Sequence, residues 1–207
     1  IWGMQQLLNY LDGQLQPAVD GAWLDVFEPA TGQVYAQAPA STSRDVQLAV
    51  QAAHNAFPKW AALSPQERSA HLLRVAQGIE DRLEELAQAE SRDNGKPASL
   101  ARRVDIPRAV SNFRFFATAI LHTEQAAHAT TLPAEMGGVR ALNYTLRQPV
   151  GVVAAISPWN LPLYLFTWKL APALAAGCTV VAKPSEVTPA TAALLGEICR
   201  DAGLPRG

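Results

Sequence analysis

Two short apolar runs, each breaking into a polar motif, constrain this chain more than any other feature. Gly151 to Ile156 leads into Ser157-Pro158-Trp159-Asn160-Leu161-Pro162, and Thr179 to Ala182 leads into Lys183-Pro184-Ser185-Glu186. Between them, Leu163 to Ala176 has the length and composition of a helix and stops at Gly177. Strand, crossover helix and strand in that order make a parallel β-α-β unit. In open sheets of this kind ligands bind beyond the carboxyl ends of the strands, where both polar motifs fall. One more helix is expected from Thr188-Pro189, read as its cap, to Gly203. Two parallel strands alone expose long hydrophobic edges, so a further strand is expected just past Gly207.

The segments before this unit read as a β opening and a helical layer. Leu7 to Tyr10, the turn Asp12-Gly13, Trp23 to Phe27 and Val34 to Ala38 around Ala30-Thr31-Gly32 are short hairpin strands. Thr42-Ser43-Arg44-Asp45 and Ser64-Pro65-Gln66-Glu67 are helix-start signals of the capping-box type. Leu72, Ala76, Ile79, Leu83 and Leu86 form one apolar stripe, and Asn94-Gly95-Lys96-Pro97 ends it. A further helix is expected from about Leu100 to Leu121. Thr130 to Gly138 reads as a connector, and Arg140 to Gln148 alternates as a half-buried strand does. Met4 reads as a natural start, with Ile1-Trp2-Gly3 an addition ahead of it.

At 207 residues, 49% hydrophobic and 17% charged, the chain can bury a sizeable core as a globular protein. A net charge of −1 gives no electrostatic case for nucleic acid or an anionic membrane surface. No apolar run reaches the ~20 residues of a spanning helix, and no secretory leader pattern opens the chain, so the cytoplasm is the expected compartment. The four histidines are scattered and no metal site is expected. Cys178, at a strand start, and Cys199, inside a helix, read as small buried apolar residues.

Several residues at the strand ends have both a chemical and a plain structural reading. Asn160 offers a carboxamide beside helical amides, suited to a developing oxyanion, or it is the helix N-cap. Trp159 walls a flat cofactor or packs the sheet. Lys183 and Glu186 receive ribose hydroxyls or form a solvated loop pair. Lys169 is the only charge between Asn160 and Lys183; it snorkels to solvent, or burial fits it for proton transfer. No G-x-G-x-x-G surrounds Gly151, which rules out the usual dinucleotide phosphate loop in these residues.

Together these motifs resemble the aldehyde dehydrogenase superfamily in order and spacing. Pro158-Trp159-Asn160-Leu161-Pro162, the helix from Trp168-Lys169-Leu170-Ala171-Pro172 to Gly177, and Lys183-Pro184-Ser185-Glu186 carry the match. Glu28-Pro29-Ala30-Thr31-Gly32, Phe57 with Trp60, and Asp93-Asn94-Gly95-Lys96-Pro97 fit the amino-terminal half. The resemblance implies an α/β fold, the amino-terminal part of a doubly wound NAD-binding domain with a β arm for oligomerisation. It divides the chain into a β-hairpin and helical part (1–129), a connector and arm (130–149), and the first β-α-β-α of the NAD-binding domain (150–207).

By the same resemblance, Asn160 helps hold the aldehyde oxygen and Lys169 serves a proton relay. Ile156, Ser157 and Trp159 meet the cofactor mainly through backbone, while Lys183, Ser185 and Glu186 border its adenosine ribose. The Glu186 carboxylate favours NAD over NADP, because it repels a 2′-phosphate. The nucleophilic cysteine, the water-activating glutamate and the Gly-rich turn are implied beyond Gly207, so these 207 residues alone are expected to be inactive.

Asp105-Ile106-Pro107-Arg108-Ala109-Val110-Ser111-Asn112-Phe113 and Leu163-Tyr164 bring the pattern nearest to the branch acting on 2-hydroxymuconic and 2-aminomuconic semialdehydes. Arg108 is then the candidate to bind the substrate carboxylate bidentately; alternatively it pairs with Asp105 at i,i+3. The implied function is NAD-dependent oxidation of a muconic-type semialdehyde to the acid, in a homo-oligomer (dimer or tetramer). The alternative is a non-catalytic fragment or pseudoenzyme that binds nucleotide or mediates assembly.

Overall fold

A computed structural model describes residues 4–207, so Ile1-Trp2-Gly3 lies outside the described residues. Three opening strands are short: β1 (Gln5–Gln6), β2 (Asn9–Leu11) and β3 (Gln14–Gln16). β2 and β3 form a hairpin over Asp12-Gly13, whose positive φ values of 49° and 76° suit the twist of a two-residue turn. The expected single strand from Leu7 to Tyr10 is split. Buried Leu7 lies between β1 and β2, donating its amide to Gln37, where the chain leaves one sheet for the next. β4 (Trp23–Glu28) and β5 (Gln33–Pro39) pair antiparallel, and β1 joins β5 in parallel, giving the order β1-β5-β4.

Both capping boxes form. Thr42 and Asp45 open α1 (Ser43–Ala61), and Ser64 and Glu67 open α2 (Pro65–Asp81). The stripe from Leu72 to Leu86 belongs to two helices, because Arg82 breaks the geometry before α3 (Leu83–Asn94). Gly95, at φ 80°, closes α3 in the left-handed conformation that glycine alone adopts without strain. The next helical region starts as a single turn, α4 (Ala98–Leu100), widens to a π-helix over Ala101–Asp105, and continues as α5 (Ile106–Ala119).

β6 (Ala127–Thr131) and β7 (Arg140–Tyr144) then pair as an antiparallel hairpin with every residue exposed. The connector expected from Thr130 therefore includes the end of a strand. The half-buried strand expected from Arg140 is instead solvent-facing on both sides.

β8 (Val152–Ile156), α6 (Pro162–Ala175), β9 (Thr179–Lys183) and α7 (Ala190–Asp201) form the β-α-β-α unit, with β8 and β9 parallel. Successive residues of a strand point to opposite faces. Val180 and Ala182 join the core formed with Leu163, Phe166 and Leu170 of α6. Thr179 turns the other way and donates to the Ala53 carbonyl of α1 at 2.9 Å. The same core takes in Leu72, Val75 and Ile79 of α2, Ile106 and Phe113 of α5, and Leu195 and Ile198 of α7. Trp60 Nε1 and Arg68 Nε donate to the carbonyls of Leu174 and Ala175 at 3.0 Å, serving the free end of α6. One body thus holds the β8–β9 edge fixed, and the β6–β7 hairpin projects from it.

Candidate active site

Parallel pairing from Val152↔Thr179 to Ile156↔Lys183 brings both polar motifs to one end of the sheet. The Ser157 amide donates to the Lys183 carbonyl at 3.1 Å, so the two strand ends are joined just where the loops diverge. Ile156 and Trp159 are exposed there, at 66% and 60%. The packing role open to Trp159 is therefore not the one it has. Ser157 is buried, and its Oγ has no hydrogen-bond partner among the described residues.

Asn160 is exposed, and Leu161 holds the N-cap position of α6 without a side-chain cap. The capping alternative for Asn160 is thereby removed, and its carboxamide remains at the strand end beside the start of α6. Lys169 is exposed rather than buried, and its ammonium donates to the Ile156 carbonyl at the end of β8. That contact ties the Lys169 side chain to the same strand end as Asn160.

Beyond β9, Lys183 Nζ lies 3.0 Å from Glu186 Oε2 with both side chains more than 60% exposed. The Glu186 carboxyl is held below the usual carboxylate range by its own backbone amide first and by Lys183 next. It is therefore an ionised acceptor facing solvent. Ser185 is half-buried and its hydroxyl accepts from the Val187 amide at 3.4 Å. These groups suit a polyhydroxy ligand: a carboxylate to accept from hydroxyls, an ammonium beside it, and a flat apolar wall on the neighbouring loop.

Arg108 does not pair with Asp105. Asp105 is buried at the end of the π segment, where Lys96 Nζ reaches it at 2.8 Å. The exposed Arg108 guanidinium lies instead against Tyr164 of α6. Its Nη1 is 3.3 Å from the phenol oxygen and its Cζ is 5.4 Å from the ring centre. Tyr164 meets Trp168 edge-on at 5.8 Å, and Trp168 meets Phe116 at 6.4 Å. Tyr164 and Trp168, spaced i,i+4 on α6, belong to sequence motifs named above, but their contacts with Arg108 and with Phe116 of α5 are not visible in the sequence.

Both cysteines are buried and free. Burial pushes the Cys199 thiol up to about 12. Cys178 precedes β9, at the opposite end of the strands from Asn160. Neither offers a thiolate to a carbonyl carbon at this site.

The sequence profile of the aldehyde dehydrogenase family matches residues 17–207. The chain belongs to the aldehyde dehydrogenase family. It is 51% identical to 2-aminomuconic semialdehyde dehydrogenase of Bos taurus over 205 residues, covering 99% of this chain and 40% of that protein. It is 44% identical to 2-hydroxymuconic semialdehyde dehydrogenase of Pseudomonas sp. (strain CF600), covering 99% and 42%. The NAD+ complex of aldehyde dehydrogenase from Bacillus cereus superposes with a TM-score of 0.88 at 36% identity, covering 98% of this chain and 40% of that one. The chain thus spans about 40% of the length of these relatives, and its fold is the amino-terminal part of theirs. No helix among the described residues is long and apolar enough to cross a membrane.

Proposed function

We propose that these residues are the nucleotide-binding and carbonyl-facing part of an NAD-dependent dehydrogenase that oxidises a carboxylate-bearing semialdehyde to the acid. The observation that carries this reading is the convergence of Asn160, Trp159, Lys183 and Glu186 at the joined ends of β8 and β9, all of them exposed. Glu186 and Lys183 would accept and donate to the adenosine ribose, Ser185 would border it, and the Ile156–Trp159 backbone would line the rest. An ionised Glu186 opposes a second phosphate on that ribose, which favours NAD. NAD, when bound, supplies the hydride acceptor. Asn160 would donate its carboxamide to the aldehyde oxygen, and Lys169, held at the Ile156 carbonyl, would pass protons at the same edge.

Two properties follow for these 207 residues. They would bind nucleotide without oxidising aldehydes, since neither thiol faces the site. The β6–β7 hairpin would pair with another copy, giving a homo-oligomer, dimer or tetramer, with residues 130–149 as the arm between segments 1–129 and 150–207. Two free buried cysteines are in keeping with a cytoplasmic protein.

Arg108 would hold the substrate carboxylate, and the relatives' names support an acidic semialdehyde. Titration with NAD, following tryptophan fluorescence in the chain and in Trp159→Phe and Glu186→Ala variants, tests the nucleotide site. Saturable quenching lost in Trp159→Phe and weakened in Glu186→Ala is expected; no saturable change in the unaltered chain overturns the reading. In a polypeptide joining these residues to the rest of the family's fold, Arg108→Ala should raise KM for an acidic semialdehyde far more than for a neutral aldehyde. Equal effects on both remove Arg108 from the substrate site.

A further inference from the structure

The end of α3 carries Glu90, Asp93 and Asn94 at i, i+3 and i+4, which places their side chains on one helix face. Each reaches a backbone group in a different segment bordering the candidate site. Glu90, fully buried, accepts from the Leu163 amide in the first turn of α6 at 3.3 Å. Asp93 accepts from the amide of Ala190, the first residue of α7, at 2.7 Å. Asn94 Nδ2 donates to the Trp159 carbonyl at 2.9 Å.

Neither α6 nor α7 has a side-chain cap of its own, so first-turn amides that a local cap would serve are served from α3. The Trp159 carbonyl belongs to the same planar peptide unit as the Asn160 amide. Asn160 is exposed, so its backbone rather than packing sets where its carboxamide points. Lys96 extends the connection, reaching Glu90 at 3.2 Å and Asp105 at 2.8 Å, where the π segment meets the helix that carries Arg108.

We propose that Glu90, Asp93 and Asn94 are positioning residues, a single helical turn that holds the Trp159–Asn160 peptide and the first turns of α6 and α7 in one frame. Its consequence for catalysis rests on the dehydrogenase reading: the turn sets the spacing between the carbonyl-facing loop and the ribose-facing loop. Asn94 is the informative member, because its removal leaves the buried core untouched.

The test uses the 207-residue chain with Asn94→Asp, which keeps the shape and loses the donor, beside Asn94→Ala. Amide hydrogen exchange is read at Trp159, Asn160, Leu161 and Leu163 and, for the core, in α2 and α5. One lost hydrogen bond predicts about fivefold faster exchange in the loop for both variants, with core exchange unchanged, and a similar loss of NAD affinity. Unchanged loop exchange overturns the proposal, as does equal acceleration of the core. Faster loop exchange in a chain that never binds NAD sustains the clamp and removes the dehydrogenase reading. Unchanged loop exchange in variants that bind NAD with unaltered affinity does the reverse.

Discussion

Lys96→Met should be the most damaging single substitution near the site that touches no ligand. Its ammonium serves two buried carboxylates, Glu90 at 3.2 Å and Asp105 at 2.8 Å, and all three side chains are at most 9% exposed. Burial already pushes the Glu90 carboxyl above its ordinary 4.5, with Lys96 the main group opposing that rise. Without Lys96 two carboxylates face one low-dielectric space, and one must take up a proton for the fold to persist. Protonating a carboxyl of ordinary value 4.5 at pH 7 costs about 3 kcal/mol, at the lower edge of the about 3–5 kcal/mol known for breaking buried pairs.

The sign of the pH dependence follows. A carboxyl raised in the folded state contributes most below its unfolded value and loses that contribution as pH rises through the folded one. The deficit of the variant should therefore shrink on acidification, to about 1–2 kcal/mol at about pH 5.5. Urea unfolding followed by tryptophan fluorescence at both pH values measures it, with an unchanged slope confirming that the unfolded states are comparable. The triple variant Glu90→Gln, Lys96→Met, Asp105→Asn should recover most of the loss, since no charge is then stranded. A deficit below about 1 kcal/mol at both pH values, or one that does not move with pH, refutes the argument.

Asp93 is pushed up to about 6 by burial, against the hydrogen bonds from Tyr35 and Ala190 that favour its charge. Its contribution is complete below about pH 4 and lost as pH rises through about 6, so wild type should gain on Asp93→Asn, by up to about 3 kcal/mol, between pH 7 and 4. Paired melts across that range check it; a constant gap defeats it. Gly78→Ala should lower the unfolding free energy by about 1–3 kcal/mol, read as a lower urea midpoint, because a Cβ there meets Ile198 Cγ2 at 2.7 Å where α2 and α7 touch. A raised midpoint would show that alanine's helical preference wins. Neither Cys178 nor Cys199 should react with a thiol reagent in the folded chain, whereas both should in urea. Rapid native labelling of either would contradict their burial.

Elements encoded by neighbours in sequence were readable from it. Thr42 with Asp45, Ser64 with Glu67, and the β4–β5 hairpin need only residues within one or two turns of chain. Elements that depend on distant partners were not. The apolar stripe runs on across Arg82 because its residues still share a core, although the helix itself breaks there. Ala127–Thr131 lacks strand alternation and becomes a strand because β7 pairs with it. Thr188 looks like a cap, yet its Oγ1 finds no partner among the described residues, and Asp93, far away in sequence, serves the start of α7.

The same division explains the site. Motifs that directly follow strands were locatable, since a parallel β-α-β unit must put both strand ends on one edge. For Asn160 and Trp159 the structure then removed the plain alternatives, because one is not the N-cap and the other is not packed inward. The Glu90–Asp93–Asn94 face stayed hidden for the opposite reason. Polar residues at i, i+3 and i+4 look, in sequence, like the solvated face of an amphipathic helix. Here Glu90 and Asp93 are buried and spend their oxygens on backbone amides of other segments, which only the three-dimensional packing reveals. A polar face whose members are buried and each joined to a different loop is under a geometric demand that solvation does not impose. That demand is what makes the end of α3 part of the site's construction rather than part of its surface.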